Sequence, residues 1–211
     1  MKLISDGVRF TRFAGWLALV VLGVSGCALS QRPPPPALYD FGAGPLATPV
    51  SASPQAANGP ALALNSVQSV AALDGAAVLY RLAYADAQQL RAYALARWTM
   101  PPAQLLQQRL RERLSQQRAV LNPDEGAARV LQIELEEFSQ VFDAPGQSKG
   151  LLRLRATLLQ ATPAGDRLVA QRNVIVQRPA PSADAAGGVR ALTAATDAAV
   201  EEISQWLQQW R

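Results

Sequence analysis

"RVLQIELEEF", residues 129–138, decides the fold. Leu131, Ile133 and Leu135 alternate with Gln132, Glu134 and Glu136. A period of two is that of a strand half buried on one face, with apolar side chains turned to a core and polar ones to water. Phe138 breaks the phase, which predicts a bulge or a change of face there. Downstream, "LLRLRATLL" (151–159) repeats the pattern, with Leu152, Leu154, Ala156 and Leu158 inward and Arg153 and Arg155 outward. After the "TPAGD" turn, "RLVAQRNVIVQ" (167–177) closes a meander.

Upstream, "ALALNSVQSV" (61–70) and "AVLYRLAY" (77–84) read as strands around an Asp74-Gly75 turn, the second with Val78, Tyr80, Leu82 and Tyr84 on one face. "QLRAYALARW" (89–98) alternates too, placing Leu90, Ala92, Ala94, Ala96 and Trp98 on one side. Pro101 and Pro102 then open a helix, where a missing N–H costs nothing. Along it Leu106, Leu110 and Leu114 recur every four residues and form one inward stripe. "NPDEG" (122–126) is a turn. After "PAPSADAAGG" a long helix is expected from about Val189 to Trp210, its apolar face running Val189, Leu192, Thr196, Ala199, Val200, Ile203, Leu207, Trp210. The expected fold is a single α/β domain: a largely antiparallel or mixed sheet with two helices packed mainly on one face.

Composition narrows the chemistry. Hydrophobic residues make up 49% of 211, enough for one core and one domain. A single cysteine allows no disulfide within the chain, so packing alone holds the fold. Histidine is absent, which removes Ser-His-Asp and Cys-His catalysis and the usual imidazole-based zinc sites. Glu134, Glu136, Glu137 and Asp143 cluster on one segment and are the remaining catalytic candidates. Alternating acids on a strand are more often its wet face. With no phosphate loop, no metal-ligand spacing and no nucleophile beside a base, neither an enzyme nor a cofactor is expected.

The front of the chain carries a different message. Lys2, Arg9 and Arg12 precede an uncharged stretch from Phe13 to Leu29. Its dense apolar part, "FAGWLALVVLG", is short of the ~20 residues that a membrane span requires, so residues 1–26 read as an export signal. Their removal takes away three basic residues and one acid, lowering the net charge from +4 to +2. So mild a charge gives no case for nucleic acid. The signal ends in "VSGC" (Val24, Ser25, Gly26, Cys27), which resembles a lipobox, the processing site of bacterial lipoproteins. That resemblance implies that Cys27 carries diacylglycerol on its sulfur and an acyl group on its freed amine. Ala28, in place of Asp, implies delivery to the outer membrane. Three chains make the anchor permanent, since each buried methylene contributes about 0.8 kcal/mol.

Between anchor and domain lie eight of the chain's 15 prolines, within residues 28–60. The expected division is a removed signal at 1–26, a lipidated proline-rich tether at 27–37 and a domain at 38–211. "ALYDFG" (37–42) holds a short strand, and residues 43–60 are expected to be a flexible loop.

Three surface features have a functional reading beside a plain one. Arg109, Arg111, Arg113 and Arg118 on helix 103–118, opposed only by Glu112, could meet acidic lipid or protein; a solvated helix face is the commoner outcome. Trp206 and Trp210 could sit at a membrane interface, but Glu201, Glu202, Gln205, Gln208 and Gln209 beside them favour core packing. The sheet face with Arg153 and Arg155 could dock a partner or be ordinary exposed sheet.

Four stretches carry a family resemblance: "ALYDFG", "LYRLAYADAQQLRAYALARWTMPP" (79–102), "VLQIELEEFSQVFDAPG" (130–146) and "AQRNVIVQRPAPSADAAGGVRALTAATDAAVEEISQWL" (170–207). They are similar to the ABC-type transport auxiliary lipoproteins, the PqiC-like group, over about Leu38 to Trp210. "RWTMPP" (97–102) and "EFSQVFDAPG" (137–146) are the most specific parts. The resemblance implies a non-enzymatic lipoprotein on the periplasmic face of the outer membrane. Its implied partners are an MCE-domain protein and an inner-membrane ABC transporter complex that move lipid or other organic compounds between membranes. An assembly or chaperone lipoprotein of another envelope complex is the alternative. Cys27, as the lipidation site, is the one site residue the sequence supports.

Overall fold

Phe138 marks the bulge that its phase break predicts. The strand containing it, β7 (Arg129–Ala144), pairs antiparallel with β8 (Gln147–Gln160), and the register slips between Leu135↔Leu154 and Glu137↔Arg153. The extra residue, Glu136, lets the strand bend and continue to Ala144 instead of ending. β9 (Arg167–Pro179) pairs antiparallel with the far edge of β8 and completes the meander. This computed structural model describes residues 34–44 and 59–210. The signal, Cys27 and residues 45–58 of the expected loop lie outside the described residues.

The other edge of β7 receives three parallel strands in succession. β2 (Gly59–Leu64) pairs at residues 129–131, β3 (Gln68–Ser69) at 134–135, and β4 (Ala77–Leu82) at 140–142. Two outer strands follow: β5 (Asp86–Trp98) antiparallel to β4, and β6 (Arg118–Leu121) parallel to β2. β1 (Ala37–Tyr39) runs parallel to the end of β5, with Ala37 opposite Ala96 and Tyr39 opposite Trp98. The sheet is therefore mixed, and the compact unit that contains it is Pro36–Arg211.

Several local expectations shift. The strand expected over 61–70 is two strands, because the chain leaves the β7 edge between Leu64 and Gln68. β2 also begins at Gly59, inside the stretch expected to be loop. In β5 the expected single face fails: Ala96 and Trp98 are buried, while Ala92 and Ala94 are exposed and Tyr93 turns toward the core. Two residues of β4 (77 to 79) span five of β5 (97 to 92), and this irregularity reverses the phase.

Two helices cover one face of the sheet. α1 (Pro102–Ser115) begins at a proline and buries Leu106, Leu110 and Leu114. It stops before Arg118, which lies on β6 rather than on the helix. α2 (Ala185–Leu207) begins four residues earlier than periodicity alone suggests, because Asp184 caps it by accepting a 2.7 Å hydrogen bond from Gly187 N. Its Leu192, Ala195, Ala199 and Ile203 share one core with Leu131, Ile133, Leu152, Leu154 and Val174 of the sheet. Each leucine so buried stabilises by roughly 1.5–3 kcal/mol. Trp206 lies in this core and Trp210 packs against it, so the plain reading of both tryptophans holds. Among the described residues no helix is long and apolar enough to cross a membrane.

Candidate functional site

The face of β7, β8 and β9 turned away from the helices carries a ladder of charges set by register. Glu134 stands opposite Arg155, and the bulge turns Glu136 toward both arginines. Arg155 donates to Glu136 at 2.8 Å and reaches Glu134 at 3.5 Å, while Arg153 Nε lies 3.0 Å from Glu136. Across the next gap Arg153 faces Ile175, which is exposed. Opposite charges facing across strands stabilise the pairing modestly and leave a mixed polar and apolar surface.

The four carboxylate candidates do not converge. Glu134 and Glu136 meet the β8 arginines; Glu137 turns to Arg81 at 3.2 Å and accepts a 2.6 Å hydrogen bond from Ser139 Oγ. Asp143 pairs with Lys149 at 2.9 Å. An acid and base working on one substrate need a shared space between them; here Arg155 fills the space between Glu134 and Glu136, and Glu137 and Asp143 are held elsewhere along β7 by Arg81 and Lys149. Among the described residues no group of three or more His, Cys, Asp or Glu is placed to hold a metal.

A polar cleft of about 440 Å³ opens on the same face where β2 gives way to β3. Asn65, Ser66, Gln68, Gln132, Glu134, Arg155 and Thr157 line it. Its hydroxyls and amides, with the paired Glu134 and Arg155, suit hydrogen-bonded contact.

The arginines of α1 are not the solvated face that the sequence favours. Arg109 is buried. Its guanidinium donates to the carbonyls of Phe41 (2.6 Å) and Gly42 (3.1 Å), and pairs with Asp197 of α2 at 3.3 Å and Glu112 at 3.7 Å. Burial pushes the Asp197 carboxyl above the usual aspartate range, because it outweighs the opposing pull of Arg109; Glu112 adds to the rise. Arg113 pairs with Glu201 at 2.7 Å, which holds that carboxyl below its ordinary range. Arg111 donates to Val120 O and Asn122. Arg118 is buried and points its guanidinium at Leu207 O. All four therefore fasten elements to one another, and no continuous basic face remains.

What Arg109 grips is the strap that joins the front of the chain to the domain. β1 pairs with β5, and the next residues plug into the core: Phe41 packs against Trp98 and Phe138, with ring centres 5.5 and 6.0 Å apart. Gly42 then turns the chain at φ 64°, where its N–H donates to Asp40. A groove of about 470 Å³ runs between this strap and α2, lined by Leu38, Tyr39, Phe41, Val189, Thr193 and Ala194 among others. Sequence reasoning missed this clamp. Its one signal was an arginine beside the leucine stripe of α1, where a water-facing residue is not required.

The motif "EFSQVFDAPG" proves to be packing chemistry. Gln140, fully buried, accepts a hydrogen bond from Tyr93 Oη at 2.9 Å and donates to Ser148 Oγ at 2.7 Å. Burial, with Tyr80 and Asp184 nearby, pushes the Tyr93 phenol up to about 12, so it remains a donor.

Comparison with known proteins gives the relationship. A family model described as "ABC-type transport auxiliary lipoprotein component" matches residues 44–204. The resemblance read from the residues extends further, into the strap and to Trp210. The crystal structure of protein XCC0632 from Xanthomonas campestris, of family DUF330, is similar at TM-score 0.64 and 22% identity, over 73% of this chain and 89% of that one. A second crystal structure, of an uncharacterized protein, is similar at TM-score 0.61 and 14% identity, over 82% of this chain and 99% of the other. Both share the fold. No curated protein matches the chain in sequence.

Proposed function

The chain belongs to the ABC-type transport auxiliary lipoprotein components, and from that premise we propose that it is a lipid-anchored, non-catalytic subunit on the periplasmic face of the outer membrane. There it docks on, or receives cargo from, an MCE-type assembly fed by an inner-membrane ABC transporter. Cys27 carries the acyl chains, and the domain supplies contact rather than reaction. The observation that supports this reading is the extent of the family match: residues 44–204 include every strand but β1 and most of α2. The charge ladder of β7 and β8 and the cleft beside it give this module a polar, hydrogen-bonding surface suited to a protein partner.

The test is affinity purification of the tagged, membrane-extracted protein in mild detergent. An MCE-domain protein in the eluate is the expected result. A secretin or other secretion component as sole partner would instead support the assembly-factor alternative. Loss of an activity on Glu134→Gln or Glu136→Gln would argue for a hydrolase.

A further inference from the structure

We propose that the outer edge formed by β5 and β1 lies on the membrane, and that it takes the headgroup layer of an anionic phospholipid bilayer. β5 is 13 residues long, yet β1 pairs only with its last three, Ala96 to Trp98. β1 cannot continue along β5, because Pro34, Pro35 and Pro36 before it have no N–H to give. Among the described residues, the β5 edge from Asp86 to Leu95 is thus left without a strand on that side.

That edge is unusually apolar. Of the six large hydrophobic side chains exposed among the described residues, three are here: Leu38 at 66%, Leu95 at 51%, and Tyr84, in the β4–β5 turn, at 48%. Ala92 and Ala94 between them are exposed as well. The edge also carries Arg91 and Arg97, whose guanidinium groups donate to the Gln89 side chain and to Tyr93 O. Neither pairs with a carboxylate among the described residues, a property they share with Arg111, Arg129, Arg167, Arg178 and Arg190, whereas Arg81, Arg109, Arg113, Arg153, Arg155 and Arg172 each do. What sets Arg91 and Arg97 apart is that they stand on this apolar edge. The acid of the strand is Asp86, at the turn end, where it accepts from Gln88 N.

Exposed leucines, an exposed tyrosine and arginines that meet no carboxylate among the described residues match what a headgroup layer offers: shallow apolar depth and phosphate oxygens. Guanidinium is the cation best shaped for phosphate. The proposal rests on acylation of Cys27, the reading given above. Ten residues on from that anchor, at ~3.3–3.6 Å each, the chain enters the sheet at Ala37, on this same edge. The domain is therefore held within about 35 Å of the bilayer, and this is the side from which it is held.

The experiment uses the full-length, lipidated protein reconstituted into vesicles of phosphatidylethanolamine and phosphatidylglycerol carrying a nitroxide headgroup lipid. Since the chain's one cysteine is Cys27, a Leu95→Cys variant takes a single fluorophore; Tyr84→Cys gives a second position. Leu168→Cys is the control: it is also exposed, but lies on β9, four strand spacings or about 19 Å across the sheet. The expected result is strong quenching at 95 and 84, none at 168, and loss of quenching at 95 in Arg91→Gln/Arg97→Gln or in pure phosphatidylcholine vesicles. Vesicle-bound protein with equal quenching at all three positions overturns the proposed surface alone. Protein that does not float with vesicles overturns the acylation reading, and this proposal with it.

Discussion

Arg109 of α1 hydrogen-bonds the carbonyl of Phe41 at 2.6 Å across 68 positions of sequence, and so locks the strap that follows β1 onto the helical layer. Hydrogen bonds from a buried charge contribute more than neutral ones, and removal leaves two carbonyls and Asp197 without their donor. Arg109→Gln is expected to lower stability by about 2 kcal/mol, read as the urea midpoint, and to raise hydrogen exchange across residues 37–44 selectively. Arg109→Lys should recover only part of this, since a point charge cannot span both carbonyls and Asp197. Unchanged exchange in the strap would show that β1 and Phe41 hold it unaided.

α2 sits so close to β8 that Gly150 has no room for a side chain. A Cβ there would lie 2.7 Å from the backbone of Ala191 and Leu192. Backbone cannot swing aside as a side chain can, so Gly150→Ala should cost about 1–3 kcal/mol. Chemical denaturation measures it.

Asp184, the cap of α2, gives a pH signature. Its carboxyl is held below the ordinary aspartate value by the Gly187 N–H first and the Ser182 hydroxyl next. A depressed folded value means stability that is complete above the unfolded pKa and is lost as pH falls through the folded one. Asp184→Asn should therefore differ most from the parent at neutral pH, with the Tm gap closing as the solution is acidified below the carboxylate range. A gap that persists unchanged in acid would assign the cap to shape rather than charge.

The open-face ladder behaves oppositely. Its arginines and Glu134 are well exposed, and exposed ion pairs contribute little. Glu134→Gln is expected to shift stability by less than about 1 kcal/mol, while weakening capture of the partner if this face is the contact. Thermal melts and co-purification separate the two effects.

How much of this was legible in the sequence depended on the range of the interactions. β7 and β8 alternate because a strand with one wet face must, and even the bulge showed, since Phe138 stood out of phase. The leucine stripe of α1 and the apolar face of α2 followed from helical period. β5 misled because its irregularity between Ala92 and Arg97 leaves no mark on alternation in a run of alanines. The parallel pairing of β2, β3 and β4 with one edge of β7 joins segments dozens of residues apart. Arg109 was read as a surface charge because its main partners are carbonyls, which have no letter in a sequence. Arg118 was carried along by a helix that in fact ends at Ser115.

A module placed at a bilayer for contact needs its anchor before anything else. Intact-mass and peptide mass spectrometry of the protein isolated from its native membrane is the direct test. The predicted result is a mature chain that begins at Cys27 and carries diacylglycerol with an added acyl group. A chain whose Cys27 bears no lipid, with residues 1–26 retained or cut elsewhere, would contradict it.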